Sequence, residues 1–127
     1  MKKSYYFFSL FAIFNILMSV VVSASTSHSS NESIKAINYA ISMQQLHGLT
    51  ILILLNSKLS FILGKSLTLL NYFFSAGLLL FCFNIYMAKL INISIFSFLT
   101  PFGGGSFLIG WLLFMTLIFI RIFKRFR

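Results

Sequence analysis

The stretch Thr100-Pro-Phe-Gly-Gly-Gly-Ser-Phe-Leu-Ile-Gly-Trp111 decides the fold predicted for this chain. It brings the single proline and the single tryptophan of the sequence together with a run of glycines. Thr100 is suited to capping the start of a helix. Pro101 suits the first helical position, because no backbone N–H is needed there. We therefore predict that a helix begins at this stretch.

Small residues recur on one face of this predicted helix. Gly103, Ser106 and Gly110 follow one another at i, i+3 and i+7, which is helical spacing. In a lipid-soluble chain, such a stripe lets the backbone of another helix come close. We interpret it as a helix-packing motif rather than a ligand site. The motif comprises Thr100, Pro101, Gly103, Gly104, Gly105, Ser106, Gly110 and Trp111.

The composition excludes an ordinary soluble domain. The chain of 127 residues is 59% hydrophobic and only 9% charged, whereas soluble domains carry about 25% charged residues. In a bilayer only helices and closed barrels satisfy their backbone hydrogen bonds. The long apolar runs lack the alternation typical of barrel strands, so an all-α membrane protein is predicted.

Four apolar runs are long enough for membrane helices. We predict a single domain, residues 1–127, in which four transmembrane helices pack as a small bundle. The helices are expected at about 5–23, 34–55, 67–88 and 101–120, and a basic tail follows at 121–127.

The first run has an alternative interpretation. Lys2 and Lys3 precede an apolar stretch that ends in Val22-Ser23-Ala24, which resembles a signal peptide with its cleavage site. The run is longer than the usual apolar core of about 7–15 residues. We expect it to be retained as a membrane helix.

The second predicted helix carries unusual polar residues. Gln44, Gln45 and His47 would lie near the middle of the bilayer, where an unsatisfied polar group costs several kcal/mol. Asn38 and Ser42 share a face with Gln45, and Gln44 and His47 lie on the opposite face. This helix is therefore expected to be surrounded by other helices or to line a wet cavity.

The basic residues predict an orientation. Of the ten, only Lys35 and Lys89 lie in the two loops on one side of a four-helix arrangement. The others lie in the N-terminus, the middle loop and the tail. By the positive-inside rule, both termini should face the cytoplasm. Bilayer lipid is thus an expected partner.

Several classes of chemistry find no support in the sequence. Glu32 is the only acidic residue and Cys82 the only cysteine. The sequence therefore has no pair of carboxylates for catalysis and no residues spaced as metal ligands. No nucleophile–base pair is visible. The basic residues are scattered, which does not suggest nucleic-acid binding. We expect no enzyme activity, no cofactor and no metal.

The fourth-helix stretch closely resembles a known motif. Residues Thr100–Trp111 resemble the glycine-rich fourth-helix motif of the YgdD-like inner-membrane proteins, a family that includes eukaryotic transmembrane protein 256. Leu46-His-Gly-Leu-Thr-Ile-Leu52 is similar to the His-containing second helix of that family. Phe81-Cys-Phe-Asn-Ile-Tyr86 takes the place of its Phe-Ser-Gly-Ser-Leu-Tyr segment. The resemblance covers most of the chain from about Asn38 onward.

The N-terminal part departs from the family pattern. Ser23-Ala-Ser-Thr-Ser-His28 stands where the family has Gly-Ala-Phe-Gly-Ala-His, so only Ala24 and His28 match. The resemblance implies a four-helix inner-membrane protein. It implies no catalytic activity, because the family has none assigned.

Two functions remain from the sequence. In the first, the protein is a structural or accessory membrane protein that packs through its glycine face, against itself in a homo-oligomer or against a larger membrane complex. In the second, it is a small transporter or channel with a polar path around His47, Gln44 and Gln45. His47 is an ionisable residue at membrane depth, which makes it the sharpest functional candidate. His28, although part of the family motif, should lie near the outer surface, so we do not expect a shared ligand site.

Overall fold

The computed structural model describes residues 2–126, and within that range the protein is helical with no strand. Its long helices form a bundle, with one short helix at a corner. In chain order the helices are α1 (Lys2–Thr26), α2 (Ser33–Asn56), α3 (Leu59–Leu63), α4 (Ser66–Gly77), a π-helix (Leu78–Phe83), α5 (Asn84–Leu90), a 3-10 turn (Ser97–Leu99) and α6 (Thr100–Arg125).

Helices α1 and α2 form an antiparallel pair joined by a short turn. At one end, the Tyr5 hydroxyl donates to Asn56 Oδ1 at 2.7 Å. In the middle, Gln44 Nε2 donates to Asn15 Oδ1 at 3.0 Å. Gly48 of α2 lies where a Cβ would be 3.4 Å from the carbonyl oxygen of Ala12, so the two backbones approach closely. The two helices therefore lie side by side over most of their length.

The serine-rich end of α1 remains helical. Thr26 Oγ1 donates to the carbonyl of Val22 at 2.8 Å, and Ser27 Oγ donates to the carbonyl of Ala24 at 2.9 Å. These side chains bond carbonyls in the last turns of the helix. Helix α1 therefore continues to Thr26, past the predicted end at about residue 23.

Helices α4 and α5 form one continuous rod through the π-helix. A π-helix places one extra residue in a turn and thereby disturbs the backbone ladder. Asn84 Nδ2 donates to the carbonyl of Leu80 inside this segment at 2.7 Å. The whole rod, Ser66–Leu90, has 25 residues.

The small residues of α6 face this rod. A Cβ added at Gly103 would lie 2.7 Å from the carbonyl carbon of Leu80, and a Cβ added at Gly110 would lie 2.7 Å from Cε1 of Phe74. Between them, Ser106 Oγ donates to the carbonyl of Phe73 at 2.7 Å. The predicted small-residue face of Gly103, Ser106 and Gly110 therefore packs inside the chain, against the preceding long helix.

The structure also differs from the prediction in the middle loop and in the basic tail. The expected loop between the second and third helices contains α3, a short helix with Leu63 buried at the corner. The expected basic tail at 121–127 is largely helix, because α6 continues through Arg125. Apolar residues between the basic ones continue the helical pattern of the sequence beyond the expected helix end at about residue 120.

Three helical segments of the described chain are long and apolar enough to cross a membrane, namely Lys3–Thr26, Ser66–Leu90 and Ser97–Arg125. Large apolar side chains on them point away from the bundle. Examples are Leu10, Leu17, Leu108 and Met115, each more than half exposed. Apolar surface of this extent is compatible with a membrane protein.

Candidate functional site

His47 of α2 and Trp111 of α6 connect the two helices; the histidine is buried, whereas Trp111 is 38% exposed. The indole N–H of Trp111 donates to His47 Nε2 at 3.0 Å. The other ring nitrogen, Nδ1, lies 2.8 Å from the carbonyl oxygen of Met43. Because an indole N–H only donates and a carbonyl only accepts, His47 must carry its proton on Nδ1 and be neutral. Both ring nitrogens are thus engaged.

Aromatic rings enclose this histidine. The ring of Phe107 stacks on the imidazole at 3.7 Å between centroids, with an interplanar angle of 18°. Phe74 of α4 lies 5.5 Å away on a tilted plane. His47 is only 2% exposed. The imidazole is therefore held by an apolar wall as well as by its hydrogen bonds.

Gln44 lies one turn before His47 and joins three helices. Its Nε2 donates to Asn15 Oδ1 on α1, and its Oε1 accepts from the Tyr86 hydroxyl on α5 at 2.6 Å. Asn15 in turn donates to the carbonyl of Phe11 at 2.9 Å. The side chains form a continuous buried network, and such networks specify one arrangement of helices when every member is satisfied.

Cys82 adds a weaker link. Its thiol lies 3.3 Å from the carbonyl oxygen of Ala40 and donates to it. Ala40 and Cys82 are both fully buried, so the backbones of α2 and the π-helix are close at this point. The thiol acts here as a small packing group rather than as an accessible nucleophile.

A family model described as "Protein of unknown function (DUF423)" matches residues 9–104. The chain belongs to the DUF423 family. This assignment is consistent with the resemblance to the YgdD-like proteins and transmembrane protein 256. No curated protein and no solved structure matches the chain significantly. For this DUF423 protein the comparisons therefore supply a family but no molecular function.

The structure brings some predicted residues of the DUF423 chain together and separates others. Gln44 and His47 lie on the buried face of α2, whereas Gln45 is half-buried and points elsewhere. His28 is exposed in the turn after α1, far along the chain from the described network. Helix α2 was expected to be surrounded by other helices or to line a wet cavity. Within the described chain, its Asn38 and Ser42 are exposed.

The glycines of the packing motif also divide into two groups. Gly103 and Gly110 are buried against α4 and the π-helix, but a Cβ at Gly105 would meet nothing within 4 Å. Trp111 belongs to the site through its bond to His47 rather than only to packing. Phe107, the stacking partner, was not predicted as a site residue. The available signal was its spacing of four residues from both Gly103 and Trp111.

Proposed function

We propose that this DUF423 protein is a multi-pass inner-membrane protein that serves as a structural or accessory subunit. Its partner is a second copy of itself or a larger membrane complex, and its role is non-catalytic. The observation that carries the proposal is an outward polar face on α2. We call it the outer polar face and define it by Asn38, Ser42 and Gln45, of which the first two are exposed and the third is half-buried.

Helix α2 is the fourth membrane span of the proposal. It has 24 residues, about 36 Å at about 1.5 Å per residue, and the hydrocarbon core is about 30 Å thick. Its mean hydropathy is lowered by polar side chains, several of which are satisfied inside the bundle. Because α1 lies along α2 and bonds it at Tyr5–Asn56 and Asn15–Gln44, insertion of α1 requires α2 to insert as well.

An even number of spans supports a shared side for the two termini. The basic residues of the middle turn, Lys58 and Lys65, then lie on the same side as those of both termini. By the positive-inside rule that side is the cytoplasm. The basic end of α6 carries exposed Lys124 and Arg125, which suit contact with anionic lipid head groups.

The outer polar face gives the accessory role its physical reason. With α2 crossing the bilayer, Ser42 and Gln45 lie at a depth without water. Polar side chains at such depth bond across helices of associated chains. The residues that would form a transport path, His47 and Gln44, are instead engaged in bonds within the chain. The geometry thus favours assembly over a polar conduit.

Photo-crosslinking tests this proposal. A photo-crosslinking amino acid would replace Ser42 or Gln45 in cells, and the matched control would carry it at Ile13, an exposed apolar position of α1. We expect discrete protein adducts at 42 and 45 and only lipid adducts at 13. An adduct at twice the chain mass identifies a homo-oligomer, and another discrete mass identifies a larger complex. Lipid adducts alone at all three positions would contradict the accessory role.

A further inference from the structure

The connection between α5 and α6 exposes large apolar side chains along its whole length. We call residues 91–98 the apolar connection, and every one of them is exposed. Its large apolar members are each more than a third exposed, namely Ile91, Ile93, Ile95, Phe96 and Phe98. Transfer of apolar surface out of water is favourable. A connection of this composition therefore suits an apolar medium better than water.

The turn between α1 and α2 provides an internal comparison. Its residues 27–32 are also exposed, and they read Ser-His-Ser-Ser-Asn-Glu. In the four-span arrangement this turn and the apolar connection lie on the same side of the bilayer. Their opposite polarity therefore needs another reason, because a location on that side does not by itself require apolar residues.

The charge pattern places the apolar connection beside lipid. No charged residue lies between Lys89 and Arg121. Helix α6 alone, with 26 residues, exceeds the roughly 20 that a membrane span needs, so the uncharged segment extends beyond the span. Exposed apolar side chains continue on α6 itself, at Phe102 and Leu108. The connection thus prolongs the apolar surface that α6 presents to the bilayer.

Helix length sets the depth of the connection. The rod Ser66–Leu90 has 25 residues, about 37 Å at about 1.5 Å per residue, whereas the hydrocarbon core is about 30 Å thick. The end of the rod therefore reaches the boundary between hydrocarbon and head groups. Lys89, which is exposed, is suited to contact lipid phosphates at that level.

The backbone of the connection satisfies several of its own polar groups. The amides of Ile91 and Ile93 donate to the carbonyl of Met87, at 3.3 and 3.0 Å. The amide of Ser97 donates to the carbonyl of Ser94 at 3.0 Å. Asn92 has a φ of 60°, a left-handed conformation that asparagine tolerates. The connection is therefore folded back on the end of α5, and it depends less on water than an open loop does.

We propose that the apolar connection inserts into the lipid leaflet on the side opposite the termini, with its isoleucine and phenylalanine side chains among the upper parts of the acyl chains. Its partner is the lipid surface rather than a second copy of the chain. This placement rests on the membrane insertion put forward under the proposed function, but it needs no protein partner. The two connections on that side then differ, one lying in water and the other in lipid.

Site-directed fluorescence of the full chain in phosphatidylcholine vesicles tests this placement. An environment-sensitive fluorophore would be attached at Ile95→Cys. Ser29→Cys, in the polar turn, is the matched control, and Leu108→Cys on α6 reports on membrane insertion. All three positions are exposed. Cys82, which is buried, would be replaced by alanine in each variant so that only one thiol reacts.

We expect the emission from position 95 to be shifted to the blue relative to position 29. Aqueous iodide should quench position 29 several-fold more strongly than position 95. A lipid with a nitroxide near its head group should quench position 95 more than a lipid with a nitroxide near the end of its acyl chain. At position 108 this order should be reversed, because that side chain lies about two helical turns beyond the start of α6.

Each other outcome contradicts the placement in a different way. Equal iodide quenching at positions 95 and 29 would place the connection in water. Shielding of position 95 from both iodide and nitroxide lipids would assign the connection to a protein neighbour, a second copy included. Loss of lipid quenching at position 108 would reject the membrane insertion on which the proposal rests. If position 95 is quenched by lipid but only lipid adducts form at 42 and 45, the accessory role fails and this placement stands.

A paired substitution tests the side chains themselves. Ile91→Ser combined with Phe98→Ser removes apolar surface near both ends of the connection. With the fluorophore at position 95, we expect iodide quenching to rise several-fold. The melting temperature in detergent should stay unchanged, because both side chains are exposed. Unchanged quenching would contradict the proposal. A lowered melting temperature would show that these side chains stabilise the bundle, and it would contradict the proposal as well.

Discussion

Gly103→Ala is expected to destabilise the protein more than any other single methyl addition on α6. The new Cβ would lie 2.7 Å from the carbonyl carbon of Leu80 and closer still to the amide nitrogen of Phe81. Both atoms belong to the backbone, so no side-chain rotation relieves the overlap. Overpacking of this kind costs about 1–3 kcal/mol. Thermal unfolding of the purified protein in detergent measures the effect.

Gly105→Ala is the matched control on the same helix. A Cβ there would meet nothing within 4 Å, and alanine is a better helix former than glycine by about 1 kcal/mol. We therefore expect Gly105→Ala to be neutral or stabilising in the same assay. Equal losses of stability in the two variants would mean that the glycine run is required for something other than close contact with the π-helix.

Gln44→Leu is expected to have the second large effect. Leucine has a similar size, but it leaves Asn15 Oδ1 and the Tyr86 hydroxyl without the partners they have in the parent. A stranded buried polar group costs about 1–3 kcal/mol, and two are stranded here. Interhelical hydrogen bonds in membrane proteins average only about 0.6 kcal/mol in mutant cycles. The predicted loss therefore comes from the groups left behind rather than from the bonds themselves.

Gln45→Leu, at the neighbouring position, separates this effect from a general effect of removing an amide. Gln45 is half-buried and lies on the outer polar face, so its removal should leave the stability of the isolated protein unchanged. The variant Asn15→Leu/Gln44→Leu should lose less stability than the sum of its two single variants. Each single change leaves the other amide unpaired, whereas the double change removes both amides. Strict additivity would contradict the network.

The positions of the long helices were predictable, because an apolar run long enough to cross a membrane can form few structures other than a helix. Their ends were not. The chain after Ser23 is polar and was predicted to lie outside the helix, yet α1 continues to Thr26 and hydroxyls there bond carbonyls of the preceding turn. The π-helix at Leu78–Phe83, which α6 approaches closely at Gly103, leaves no mark on the hydrophobic pattern.

The candidate site was predictable in its members on α2 but not in their pairing. Helical spacing placed Gln44 and His47 on one face, and their polarity at membrane depth demanded partners. Which partners they have depends on the relative height of the helices. Trp111 was recognised as part of a packing motif, and only the structure joins it to His47. Asn71 was not predicted as a site residue, and only the structure shows that its buried amide has no hydrogen-bond partner among the described residues.

The bond between Trp111 and His47 spans 64 residues of sequence, and this distance has a consequence for biogenesis. A ribosome delivers α2 long before α6, so in the proposed four-span arrangement the imidazole Nε2 would reach the bilayer without its donor. The partner of Gln44 on α1, Asn15, is synthesised before it, but its partner on α5, Tyr86, is synthesised later. The nascent chain therefore carries unsatisfied polar groups until its last helix is released. Retention of α2 beside the insertion machinery, rather than stepwise release into lipid, is the course that avoids this penalty.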